Sequence, residues 1–146
     1  MTIKETKYHS NLLNFYISRG LEFGGDGCVC EYFGTPFYSV IAESDKGEFL
    51  GAGTVTKIND DFILDAVAVD EKQVGKGIGT ALLNALLDKT RKLKAKKIYI
   101  VSKTPDFFAK YGFKEIDKNA SPNMSCCIEC PDFGRTCFPK PMVYVF

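Results

Sequence analysis

Apolar positions along this chain repeat with two different periods, and the places where the period changes mark its elements. From Tyr8 to Arg19, Leu12, Leu13, Phe15, Tyr16 and Ile17 recur at helical spacing behind a capping Ser10 or Asn11, and Gly20 ends the run. Phe37 to Ala42 and Glu48 to Lys57 read as extended instead, joined through the turn-forming Ser44-Asp45-Lys46-Gly47. Asn59-Asp60-Asp61 makes a second turn into a third extended run, Phe62 to Val69. The period then becomes helical again. Ile78, Ala81, Leu82, Ala85, Leu86 and Lys89 trace one face, and Lys89, Arg91, Lys92 and Lys94 give a basic last turn that complements the helix dipole. A strand over Lys97 to Val101, a short helix over Pro105 to Tyr111, and strands over Phe113 to Ile116 and Met142 to Phe146 complete the pattern. The expected order is a helix, three strands, helix and strand twice over, and a final strand, with no internal repeat.

The junction between the third strand and the long helix carries the most chemistry. Val67-Ala68-Val69 leads through Asp70-Glu71-Lys72-Gln73 to Val74-Gly75-Lys76-Gly77-Ile78-Gly79-Thr80, with three glycines at alternate positions just before the helical pattern. Glycines allow a close approach to the backbone, and the first turn of a helix offers unpaired N–H groups at its positive end, so the fitting guest is a phosphate or pyrophosphate. A Walker loop is excluded, because Gly77 follows Lys76 where a Ser or Thr should hold magnesium. A dinucleotide fingerprint needs a third small residue where Thr80 stands, and it belongs at the start of a long βαβ array rather than halfway along the chain.

Val69, Gly77 and Gly79 instead fall on the register Val-x-x-x-x-Arg/Gln-x-x-Gly-x-Gly/Ala, and Thr104-Pro105-Asp106-Phe107-Phe108-Ala109-Lys110-Tyr111-Gly112-Phe113 adds a short helix with an aromatic pair that ends at Gly-Phe. In both motifs, and in their order and separation, the chain resembles the GCN5-related N-acetyltransferase (GNAT) family over roughly residues 38 to 116. The resemblance implies an α+β GNAT acyl-CoA N-acyltransferase fold: a mixed, mostly antiparallel central sheet with a splayed strand pair and flanking helices. It also implies acetyl-CoA as cosubstrate and direct transfer of an acetyl group to the amine of a small molecule or amino acid. Val67, Ala68 and Val69 would meet the pantetheine arm, and Val74, Gly75, Lys76, Gly77, Ile78, Gly79 and Thr80 would surround the diphosphate. Phe107 and Phe108 would line the thiol arm or the adenine side, unless they are core. The chain departs from the family at Val74, where Arg or Gln is usual and Gln73 stands one place early, and at Phe108, where many members have Tyr.

Transfer to an amine needs a neutral amine, a polarised thioester carbonyl and a proton for the departing thiolate. Asp65 is the leading candidate base, read as sharing a strand face with Val67, with Glu43 second; Tyr111 is the candidate acid. Val74 and Phe108 also motivate another reading, a non-catalytic CoA-binding sensor or a metal/thiol regulatory module.

At 146 residues the chain has the size of one domain, expected to span 1–146 with a Cys-rich loop at about 117–141. Nineteen Lys and Arg against eighteen Asp and Glu leave a formal charge of +1, so no global field recruits nucleic acid or an anionic membrane. With no signal-like segment and no run of roughly 20 apolar residues, a cytoplasmic monomer or homodimer is expected. The six cysteines form two groups, Cys28 with Cys30 and Cys126, Cys127 and Cys130 with Cys137. Their spacing leaves a structural zinc, a redox-sensitive thiol cluster and plain half-buried thiols open. His9, the only histidine, reads as a surface residue near a helix start.

Overall fold

A computed structural model of the protein describes residues 1–7, 10–20, 35–102, 104–120 and 140–146. In chain order these form β1 (Thr2–Thr6), α1 (Ser10–Ser18), β2 (Thr35–Glu43), β3 (Phe49–Ile58), β4 (Asp61–Val69), α2 (Ile78–Lys92), β5 (Lys97–Ser102), α3 (Pro105–Ala109), β6 (Lys114–Glu115) and β7 (Lys140–Val145). The strands make one mixed sheet in the order β1-β2-β3-β4-β5-β7-β6. Among the described residues only the β4–β5 neighbours run parallel; every other pair is antiparallel.

The chain therefore begins with a strand, not with the expected helix. Thr2-Ile3-Lys4-Glu5-Thr6 has one large apolar residue, too few to announce itself, and it joins the sheet as an edge strand along β2 with Lys4 paired to Glu43 at 2.7 Å. Charged side chains on an edge strand discourage further pairing.

Two apolar layers cover the sheet. On one face α2 buries Leu82, Leu83, Leu86 and Leu87 against Val40, Val55, Leu64, Ile98, Ile100 and Phe113. The helix comes so close to β3 that a Cβ added to Gly53 would lie 2.5 Å from Leu86 Cδ1, which explains why that strand carries glycine at its centre. On the other face α1 sets Leu12 and Tyr16 on Ala52, Ala66 and Ala68. The Tyr16 hydroxyl there shares a 2.8 Å hydrogen bond with Thr54 Oγ1, which shares another of 2.8 Å with Ser39 Oγ. Small residues on β3 and β4 let α1 lie close, and the hydroxyls satisfy one another in the buried layer. No helix among the described residues is long and apolar enough to cross a membrane.

Candidate active site

The sheet opens at its parallel step. β4 and β5 pair at only two positions, Phe62 with Ile98 and Ile63 with Tyr99, although β4 runs on to Val69 and β5 to Ser102. Past that point the two strands diverge. The orientation of the peptides in β4 then follows from its partners on the other side. Asp70 N–H donates to the Leu50 carbonyl at 2.8 Å, and the carbonyls of Ala66 and Ala68 approach Gly53 and Gly51 of β3. Because N–H and C=O of one trans peptide point in opposite directions, the N–H and C=O groups of Val67 and Val69 face the opening. Ala68 turns its backbone to β3 and its side chain into the α1 layer, so its expected contact with a ligand in the opening is not supported.

At the far end of β4 a single 3-10 turn over Glu71–Gln73, capped by Asp70 Oδ1 accepting from Lys72 N–H at 3.0 Å, lifts the chain out of the sheet. Gly75 and Gly77 then adopt φ of +86° and +80°, the left-handed region that disfavours L side chains. Gly77 is the N-cap of α2, and among the described residues no side chain accepts from the helix's first N–H groups. A Cβ added at Gly75 or Gly77 would meet nothing within 4 Å, so the backbone can be approached from outside. These features fit an anion bound by main-chain donors at the positive end of a 15-residue helix. Lys76 Nζ donates to Gln73 Oε1 at 3.0 Å on the surface, Val74 is exposed, and Ile78 is buried beneath the loop.

The aromatic pair divides its roles. Phe108 is 5% exposed and packs edge-on to Phe113 in the core, so it does not line the opening as expected. Phe107 is half-buried, and a Cβ on Gly79 would touch both its Cζ and Val69 Cγ2 at 3.6 Å; it therefore walls the space where the end of β4 meets the start of α2. Tyr111, one turn on, lies 5.2 Å from the Phe107 ring and shares a 2.5 Å hydrogen bond between its hydroxyl and Thr80 Oγ1. The candidate acid thus sits against the first turn of α2.

Asp65 is not on the same strand face as Val67. Thr54 of β3 pairs with Ala66 and Val55 with Leu64, which leaves Asp65 as the extra residue of a β-bulge. Its Oδ2 accepts from Thr56 Oγ1 at 3.1 Å, on the α1 side, whereas Val67 and Val69 pack on the α2 side. A one-residue insertion flips the faces of all that follows it, and the continuous apolar run hid the flip. Glu43, the last residue of β2 and two strands from β4, is engaged by Lys4. A contact absent from the sequence reading is Arg19, whose Nε donates to the Val69 carbonyl at 2.9 Å. No local pattern signals a bond that spans 50 residues of sequence.

All six cysteines, His9 and most of the expected Cys-rich loop lie outside the described residues. Among the described residues no cluster of His, Cys, Asp and Glu could hold a metal.

A family model described as an acetyltransferase (GNAT) domain matches residues 35–115, from β2 through β6. The chain belongs to the GNAT acetyltransferases. Over 72 residues it is 33% identical to an amino-acid acetyltransferase of Mycobacterium tuberculosis, an alignment covering 49% of this chain and 41% of that protein. The fold is shared with N-acetylglutamate synthase from Neisseria gonorrhoeae, solved with coenzyme A and N-acetyl-glutamate. That match has a TM-score of 0.68 and 17% identity, and covers 99% of this chain and 35% of the synthase chain. A GNAT family acetyltransferase from Elizabethkingia anophelis with acetyl-CoA bound superposes with a TM-score of 0.61 at 18% identity, covering 99% of this chain and 97% of that one. The chain thus spans less than half of the Mycobacterium protein and about a third of the synthase.

Proposed function

We propose that this protein is an acetyl-CoA-dependent N-acetyltransferase that moves an acetyl group directly to the amine of a small molecule or amino acid. The observation that carries the reading is the parting of β4 from β5 after two residue pairs, beside a helix that starts on a left-handed glycine. Bound acetyl-CoA supplies an acyl group activated as a thioester. The peptide groups of Val67 and Val69 would bind the donor's amides as a sheet edge binds an added strand. The N–H groups of residues 74–80 would receive its diphosphate, with Lys76 adding charge and Phe107 forming a wall.

On the α1 side, Asp65 would take a proton from the acceptor's ammonium, directly or through one water, and so free the nitrogen lone pair. The parting of β4 from β5 leaves main-chain N–H groups of β4 facing the opening, donors of the kind that would hold the acyl oxygen. As the C–N bond forms and the C–S bond breaks, Tyr111 would release its bond to Thr80 and give its proton to the leaving sulfur, and the nitrogen's second proton would pass through water back to the phenolate. The relative named as an amino-acid acetyltransferase and the synthase solved with N-acetyl-glutamate support an acceptor of amino-acid type.

The burial of Phe108, where many family members have a tyrosine, favours one second reading: a protein that binds coenzyme A without turnover. Calorimetry with coenzyme A, followed by thiol release across a panel of amines, decides between them. The transferase reading expects heat of binding and amine-dependent release. Binding with no release on any amine would favour the sensor, and no binding would sink both.

A further inference from the structure

Arg19 follows the last turn of α1, its own N–H capped by the carbonyls of Phe15 and Tyr16 at 3.1 Å. Its side chain reaches the last residue of β4 and spends one donor, Nε, on the Val69 carbonyl. That carbonyl faces the opening between β4 and β5, since the same peptide's N–H is committed to Leu50. A guanidinium has five donors in a planar fork, and among the described residues the Nη groups of Arg19 have no hydrogen bond or ion pair. Asp70, the next residue along, directs its carboxylate to Lys72 N–H instead. The carbonyl keeps a second lone pair, so this bond does not close Val69 to another donor.

The side of the sheet from which Arg19 comes is decisive. The glycine loop, Phe107 and Tyr111 approach the opening from the α2 side, whereas Arg19, Thr56 and Asp65 belong to the α1 side. Along one strand that side therefore presents an acid, then a cation with its planar fork unspent. The pair complements a molecule with a basic nitrogen at one end and an oxyanion at the other. Beyond the bulge, three extended steps, about 10 Å, carry the strand from Ala66 to Val69, a span that suits a carboxylate several bonds away from the amine.

We infer that Arg19 is a specificity-determining residue that receives a carboxylate of the acceptor at the α1 side of the opening. The inference rests on the acetyl-transfer reading above and names the acceptor class for it: amino carboxylates rather than simple amines. Its Nε anchor holds the fork in place, so little side-chain freedom is lost when a planar carboxylate docks in bidentate fashion.

The test compares the unaltered protein with Arg19→Gln and Arg19→Lys on α-amino acids, ω-amino acids and dipeptides, each alongside its carboxamide. Coenzyme A affinity is measured by calorimetry and folding by melting temperature. Loss of one charged bidentate contact predicts kcat/KM on the carboxylates lowered about 10- to 100-fold in Arg19→Gln, mostly through KM, with partial recovery in Arg19→Lys. On the carboxamides the change stays within about threefold, as does coenzyme A affinity. A parallel fall in coenzyme A affinity would mean that Arg19 serves the donor's phosphates, and equal losses on carboxylates and carboxamides would mean that it merely ties α1 to β4; either result overturns the proposal. In the unaltered protein, absence of turnover despite coenzyme A binding would instead sink the transferase reading itself. Turnover with no preference for carboxylates would sink only the role of Arg19.

Discussion

Gly77 combines a left-handed backbone with a position at the head of α2, and a β-branched side chain there meets strain even though the space around it is open. Gly77→Val is therefore expected to weaken coenzyme A binding by at least about tenfold in calorimetry, since one strained residue costs on the order of 1–2 kcal/mol and displaces the donors beside it. Unchanged affinity would show that the loop does not hold the anion. At Tyr111 the expectation differs: Tyr111→Phe keeps the ring beside Phe107 but removes the hydroxyl that meets Thr80. Turnover should fall about 10- to 100-fold in kcat while coenzyme A affinity holds, because the lost group would act on the leaving sulfur rather than in binding. A kcat within twofold of the unaltered value would pass the acid's role to solvent. For Asp65, Asp65→Asn preserves the acceptor oxygen for Thr56 but cannot take a proton, and a fall in kcat/KM without loss of melting temperature is the result expected of a base.

At the scale of elements, α2 is held to β2 and β3 by both apolar and polar contacts. Leu86 is fully buried over Gly53, and Leu86→Ala should destabilise the protein by about 2–5 kcal/mol, read from chemical denaturation. The same turn of helix meets Tyr38 of β2, whose hydroxyl donates to the Leu86 carbonyl at 3.1 Å and also engages Thr90 Oγ1. Burial is the main cause that pushes the Tyr38 phenol from 10.0 up to about 12, with a smaller opposing effect from the Thr90 hydrogen bond. The folded protein thus keeps this proton where the unfolded chain has already lost it. Stability from the neutral phenol is complete below pH 10 and lost as pH rises through about 12, a decline of up to about 2–3 kcal/mol. Denaturation midpoints followed from pH 9 to 12 should show the decline in the unaltered protein and a shallower one in Tyr38→Phe; equal slopes would refute the assignment.

Across the whole molecule, what could be read from sequence was what repeats with a clean period or needs a particular residue type. The α2 face, strands β2 to β4 and the loop from Val74 to Thr80 all announced themselves this way, and the structure has them within a few residues. Edge strand β1 did not, because its charged side chains carry no apolar alternation. Nor did the bulge, which adds one residue without altering composition and so moved Asp65 to the α1 side. Arg19 on Val69 and Tyr111 on Thr80 depend on tertiary approach alone. The opening between β4 and β5 gathers these separately encoded parts, and its use as an acetyl-CoA site is the central claim. Amide hydrogen exchange resolved by residue, with and without acetyl-CoA, tests that claim most directly. The account predicts slowed exchange at Val67, Val69 and residues 75–80, with β3 unchanged. Exchange at those amides that is indifferent to saturating acetyl-CoA would contradict it.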